Sequence, residues 1–358
     1  MAKADASSAG HGGCARSWRH LLSGQRADGK KVRSAARQQV SSVNILKAIA
    51  RLFDRGRSVN ELARWLDLPK DQLEDWTLGR PPEPRGREYY YHRFTIPKRH
   101  GGQREIDAPS DALKALQRRV LHRLLNPLPL HPAATGFARG RSIVTNALPH
   151  ANKGVVINLD LADFFHSISA ERVNRSFRGL GWDKESSRIL TNICTHQGQM
   201  PQGAPTSPAL SNLVCRRLDT RLVTLAARYD GHYTRYADDI TISYPQLRSA
   251  RRSIGKSGVK SVTRRLLAVI RKIIEDEGFK IQRKKHVRIQ RAHQRQTATG
   301  LVVNTRVNLH RAFRRTVRAA EHRDRVGRLD ATGKTRLCGW QALRTMVEKQ
   351  RAIAAPSP

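Results

Sequence analysis

The sequence predicts an α+β domain, and three observations carry that expectation. The run GVVINLDLADFF (154–165) reads as a buried strand that ends in acidic and aromatic residues. HYTRY (232–236) and ITISY (240–244) flank the short turn ADD and so form a β-hairpin. Residues 262–277 form an amphipathic helix, with Val262, Leu266, Ile270 and Ile273 inward and Gly278 at the stop. Strands interleaved with helices and hairpins belong to an α+β layer.

The remaining elements follow in chain order. Residues 1–40 hold eight Lys or Arg against two Asp and read as a flexible basic arm. Residues 41–85 form a small helical region. Val43, Leu46, Ile49 and Ala50 share one face; Ser58 caps a second helix carrying Leu62 and Leu66, with Glu61 at the capping-box position; Pro69 opens a third with Leu73 and Trp76. Two short helices with a tight turn fit either a DNA-reading helix-turn-helix or a plain packing unit, and the second is the better reading. RPPEPRGRE (80–88) is a linker. YYYHRFTIP and QREIDAP are two strands around the turn KRHGG, and residues 111–125 a helix with Leu113, Leu116, Val120, Leu121 and Leu124 on one face. MPQGAPTSPALSNL (200–213) is a loop fixed by prolines and a glycine, with a helix starting near Ser207. Residues 245–260 read as a basic loop, and 309–325 and 334–351 as two C-terminal helices.

Composition narrows the function. The 358 residues carry 67 Lys or Arg against 29 Asp or Glu, a formal charge of +38. Such an excess implies a polyanionic partner, with nucleic acid the first candidate. It is densest in residues 280–328, with 15 Lys or Arg and two acidic residues. No run of 18 apolar residues predicts a membrane span, and the first residues lack the apolar segment of a secretory signal. Cys14, Cys194, Cys215 and Cys338 form no CxxC pair and read as reduced cysteines of a cytoplasmic protein.

The chemistry concentrates at three aspartates. Asp238 and Asp239 adjoin in a tight turn between apolar strands, where two carboxylates can face one accessible spot and a divalent cation offsets their repulsion. Taken alone the dipeptide is an ordinary turn. Asp160, however, ends the apolar run VVINL, and buried Asp is rare unless paired or metal-bound. An Asp at the end of one central strand meeting a hairpin with two more is an arrangement for two Mg²⁺ ions in phosphoryl transfer. One would lower the pKa of the attacking hydroxyl, and the other would steady the leaving pyrophosphate. Asp163 lies outside the strand, as a surface or cap residue.

YADD (236–239), NLDLADFF (158–165), PQGAPTSP (201–208) followed by SNL, and GFKIQRKK (278–285) stand in the order of the reverse transcriptase motifs. Over roughly residues 88–320 the chain resembles that family, most closely the bacterial retron reverse transcriptases. The resemblance implies a right-hand polymerase: fingers and palm, with an antiparallel sheet, in residues 86–300, and a basic helical thumb in 301–358. It implies that Asp160, Asp238 and Asp239 are the catalytic metal-binding triad. Phe165 matches the aromatic that blocks a ribose 2′-OH, and Gln202 the nucleotide-site glutamine. Lys98 and Arg104 match the fingers residues that hold a triphosphate. Lys285 matches the lysine near the pyrophosphate, with Lys284 as the alternative. Asn146, Ala147 and His150 match the Asn-Ala-x-x-His element of retron enzymes, and an RNA contact is expected of Asn146 and His150. Thr299 and Gly300 match their Val-Thr-Gly element, with Ala298 in place of the valine; Gln282 replaces a usual asparagine. Arg311, Arg314, Arg315 and Arg318 are expected to line an RNA-binding thumb face.

The implied function is copying of a structured non-coding RNA, primed from a guanosine 2′-OH. The product is branched multicopy single-stranded DNA, in a system associated with antiphage defence. Implied partners are that RNA, its DNA product and dNTPs, with room for a separate effector protein. A group II intron-like enzyme remains an alternative, against which only 58 residues after Gly300 count. A catalytically silent RNA-binding protein of the same fold is the other, opposed by the intact aspartates.

Overall fold

The computed structural model describes residues 57–77, 90–98, 101–245, 248–282 and 287–353, all of them within the unit Arg55–Pro358. The basic arm, the helix expected before residue 57, the linker at 80–88 and Lys285 lie outside the described residues.

Helix α1 (Val59–Leu66) follows Ser58 and ends where Asp67 turns left-handed, at φ 55°. The Ser58 carbonyl accepts the Leu62 amide, but its side chain makes no cap bond, so the expected capping box does not form. Helix α2 is Lys70–Thr77. Leu62, Leu66 and Leu73 are completely buried in the core that also holds the central strand. Strands β1 (Tyr91–Pro97) and β2 (Gln103–Pro109) pair antiparallel. The turn between them ends in Gly101 and Gly102, both at positive φ.

Helix α3 (Asp111–Val120) is capped by the Ser110 hydroxyl and runs on through a π-helical turn, Leu121–Leu125. The short helix α4 (Ile143–Ala147) starts with a capping box between Ser142 and Thr145 and leads into a 3₁₀ turn, Leu148–His150. Strand β3 (Val155–Asp160) follows, then the helices α5 (Ala170–Gly179), α6 (Lys184–Cys194), α7 (Ser207–Val214) and α8 (Arg216–Ala227). Strands β4 (His232–Tyr236) and β5 (Asp239–Tyr244) form the expected hairpin.

Helix α9 spans Arg248–Asp276, so most of the stretch expected as a basic loop is helical. Once residues 262–276 have nucleated a helix, each added residue needs only propagation, which Ser and Gly do not prevent. Strand β6 (Arg288–Arg291) and the short pair β7 (Thr297–Ala298) and β8 (Leu301–Val302) come next. Helices α10 (Arg311–Arg325) and α11 (Ala331–Ile353) close the chain. They pack through Val317, Ala320 and Leu337, with Phe313 edge-on to Trp340 at 5.9 Å and an Arg344–Glu321 ion pair at 2.7 Å. Among the described residues, no helix is long and apolar enough to cross a membrane.

The central sheet runs β4-β5-β3-β6 and is antiparallel throughout. Its two faces differ, because successive side chains alternate. Val155, Ile157 and Leu159 enter the main core with Ile240, Ile242 and Tyr233. Val156 points the other way, into a second cluster with Val144, Ala147, Ala298 and Leu301. Asn158 and Asp160 therefore share the second face, where the register sets Thr241 beside Asn158 and Asp239 beside Asp160.

Candidate active site at the ends of the central strands

Asp160 is the last residue of β3 and Asp239 the first of β5, and they are direct register partners. Directly opposite residues on one face have Cβ atoms about 5 Å apart. Ala237 and Asp238 make a two-residue turn; the expected three-residue turn is one shorter, because Asp239 already pairs with Tyr236. The Asp238 carbonyl accepts the Leu161 amide at 3.0 Å. On the far side of Asp160, its carbonyl accepts the Gln282 amide at 2.8 Å, and Ala162 donates to Lys280 at 2.7 Å. Main-chain bonds thus bring three of the sequence motifs to one strand end. All three aspartates are half-buried.

The turn is supported from the opposite face. Arg235 is fully buried and grips the equally buried Asp219 of α8 through Nε and Nη2, both at 2.8 Å. Its Nη2 also donates to Asn212 at 3.1 Å, and Nη1 donates to the Ala237 carbonyl at 3.2 Å. Burial opposes the guanidinium charge, and the Asp219 carboxylate more than offsets it, holding the pKa above its ordinary range. Tyr233 donates to the same Asp219 at 2.7 Å. Sequence reading missed this pair; the Arg before YADD was its only visible trace.

A second junction joins the β1–β2 hairpin to the PQG loop. The Gln202 carbonyl accepts the Asp107 amide at 2.8 Å. A Cβ on Gly203 would stand 2.7 Å from the Asp107 carbonyl, so only glycine fits there. Asp107 is buried, with Arg93 at 2.7 Å and His166 at 3.5 Å. These three also went unnoticed in the sequence. Lys98 and Arg104 are exposed near the tip of the hairpin, Arg104 opposite Ile96. Phe165 is partly buried, its ring 5.3 Å from Phe164 and 6.1 Å from the exposed Phe137. Phe164, not Phe165, is the core ring of the pair.

The expected RNA contacts at Asn146 and His150 need correction, because both side chains are completely buried. His150 bonds Ser243 of β5 at 2.7 Å and Thr234 of β4 at 2.8 Å. Burial, helped by His232 and Lys153, pushes its pKa down to about 3, so it is neutral. Asn146 accepts from Thr135 at 2.6 Å and lies 3.4 Å from the Thr299 hydroxyl. The two retron-type elements therefore meet each other behind the hairpin, their side chains spent on the interior. By contrast Arg311, Arg314, Arg315 and Arg318 are all exposed on α10, while Val317 faces inward.

The donor chemistry at the strand ends is all-oxygen carboxylate, which suits a hard divalent cation. Among the described residues, no three His, Cys, Asp or Glu side chains stand close enough together to hold one ion.

Carboxylates at adjoining ends of an antiparallel sheet, and a Gln-Gly loop docked on the β1–β2 hairpin, accord with a polymerase-type fold. Residues 96–302 match the family described as reverse transcriptase (RNA-dependent DNA polymerase), and the chain belongs to that family. Within it the chain is of the retron type. It is 38% identical over 286 residues to the Retron Mx65 reverse transcriptase of Myxococcus xanthus, covering 75% of this chain and 63% of that one. The Retron Mx162 enzyme of the same organism is 37% identical, over 78% of this chain and 61% of its own. The Retron Ec86 reverse transcriptase of Escherichia coli is 36% identical, over 66% and 70%. The chain thus spans less than two thirds of the length of the two Myxococcus relatives.

Proposed function

We propose that this protein is an RNA-directed DNA polymerase that copies a structured non-coding RNA. The observation that carries the reading is the pairing of Asp160 with Asp239, with Asp238 in the adjoining turn, in a reverse transcriptase chain. Drawn closer together than they stand in the metal-free chain, Asp160, Asp238 and Asp239 would hold two Mg²⁺ ions, which would supply charge neutralisation at the attacking hydroxyl and at the leaving pyrophosphate. Lys98 and Arg104, exposed near the hairpin tip, take the triphosphate. Gln202 borders the nucleotide. The Phe165 ring stands where a ribose 2′-OH would clash, selecting deoxyribonucleotides. In a fingers, palm and thumb arrangement, the sheet is the palm and α10–α11 the thumb, which tracks the template duplex through phosphates.

Priming from a guanosine 2′-OH, a branched RNA–DNA product, a separate effector protein and a role in antiphage defence complete the proposal, on the likeness to retron enzymes. The test is dNTP incorporation on a primed RNA template by the wild-type protein and by Asp238→Asn. The variant should lose synthesis and keep its RNA affinity, because one missing carboxylate breaks catalysis and leaves the basic surface intact. Undiminished synthesis by Asp238→Asn would remove the site assignment.

A further inference from the structure

A fully buried Arg–carboxylate pair is not explained by stability alone. Desolvation can exceed the Coulombic gain, and apolar replacements of such pairs are often neutral or stabilising. Arg235 and Asp219 must then be judged by what else they touch. Asp219 takes the fork of Nε and Nη2, which leaves Nη1 aimed at the Ala237 carbonyl, 3.2 Å away. Arg235 shares the main-core face with Tyr233, while Asp239 and Asp160 lie on the other, so the contact comes from behind the catalytic face.

The same turn is pressed from a second side. Asn212, which accepts from Arg235, donates to the Gly136 carbonyl at 2.9 Å. Gly136 sits so close that an added Cβ would stand 2.4 Å from the Ala237 nitrogen. Between these supports Ala237 adopts φ 58°, a left-handed conformation that an alanine holds only where its surroundings over-determine it. Asp238 is the next residue, and its carbonyl carries the bond to Leu161 that fixes the turn against β3.

We propose that Arg235, anchored by Asp219, is a positioning residue for Asp238 and Asp239: by holding the Ala237 carbonyl it sets where these two carboxylates stand relative to Asp160. The inference rests on the polymerase reading above. It predicts a loss in the chemical step, because misplacement of a catalytic group by about 1 Å can cost roughly 100-fold in rate.

The experiment compares three variants with the wild type for kcat, KM for dNTP, RNA affinity and thermal midpoint. Arg235→Lys keeps a charge against Asp219 but lacks the planar fork that reaches Asp219 and Ala237 together. Gly136→Ala pushes the turn from its other side and leaves both side chains of the ion pair unchanged. Tyr233→Phe removes a hydrogen bond to the same Asp219 and leaves Ala237 alone. The expected result is a fall in kcat of about 10- to 100-fold in Arg235→Lys and Gly136→Ala, with KM and RNA affinity within about twofold. Tyr233→Phe should lower the thermal midpoint and keep its kcat.

Folded Arg235→Lys with wild-type kcat overturns the proposal, as does a Tyr233→Phe that loses kcat equally. Where Arg235→Lys does not fold, Gly136→Ala decides, its kcat loss supporting the proposal and its full activity overturning it. A wild-type protein that makes no DNA overturns the polymerase reading and this proposal with it; a variant as fast as an active wild type overturns the proposal alone.

Discussion

Replacing His150 by Gln separates a buried structural histidine from one that meets RNA. The imidazole lies between the Ser243 and Thr234 hydroxyls, and burial pushes its pKa down to about 3. In the unfolded chain the ordinary value is about 6.5. Below that pH the unfolded chain takes up a proton that the folded protein refuses. The stability contributed by the neutral ring is therefore complete above about pH 6.5 and is lost progressively as the pH falls toward 3. Between about pH 7.5 and 5.0 the loss from this residue comes to about 2 kcal/mol, at about 1.4 kcal/mol per pH unit. Gln retains a donor and an acceptor for the two hydroxyls but does not titrate. The variant should lose about 1–3 kcal/mol at neutral pH, since two buried bonds are re-made imperfectly. Its stability should then fall less steeply with acid, by those same 2 kcal/mol. The assay is the urea midpoint of the RNA-free protein, wild type and variant, across that pH range. Parallel pH curves would show that His150 titrates normally in the folded protein, and the buried assignment would be wrong.

Three further outcomes are expected. Phe165→Val should raise ribonucleotide incorporation relative to deoxyribonucleotide incorporation, since the partly buried ring is removed while core Phe164 stays; an unchanged ratio in an active variant would make Phe165 a packing residue. Replacing Arg314 and Arg315 together by Ala should weaken RNA binding and flatten its salt dependence by up to about 0.7–0.9 slope units per lost phosphate contact, read from affinities at several salt concentrations. An unaltered slope would mean that other residues hold the RNA. Gly203→Ala should raise the KM for dNTP, because a Cβ 2.7 Å from the Asp107 carbonyl must displace the loop that carries Gln202; a wild-type KM would show that this loop does not shape the nucleotide site.

The strand β3 and the β4–β5 hairpin were legible because apolar runs and short turns are local signals. The meeting of Asp160 with the hairpin carboxylates was read from an acidic strand end and an acidic turn, and the register sets Asp160 opposite Asp239. Asn146 and His150 were misread because burial of a polar side chain depends on partners far along the chain: Thr234 lies 84 residues from His150, and Thr299 lies 153 from Asn146. Asp219 lies only 16 residues from Arg235, but on a helix whose docking against β4 no local pattern announces, and Arg93 faces Asp107 across the β1–β2 hairpin, where only the register reveals the pair. Helix α9 was underestimated because its N-terminal half is polar and glycine-containing, with no apolar stripe to announce it.

The place of β3 in the sheet has a consequence for how the protein is made. Its outer neighbour β6 is encoded some 130 residues later, and the Asn158 side chain waits for the Thr297 carbonyl, 139 residues away. A ribosome adding about 5–20 residues per second needs on the order of 10 s to deliver that segment. For that interval the apolar strand that ends in Asp160 is an uncovered sheet edge, open to pairing with other nascent chains. Translation of residues 161–288 is thus a window of aggregation risk. Chains released before residue 288 should be recovered in the insoluble fraction.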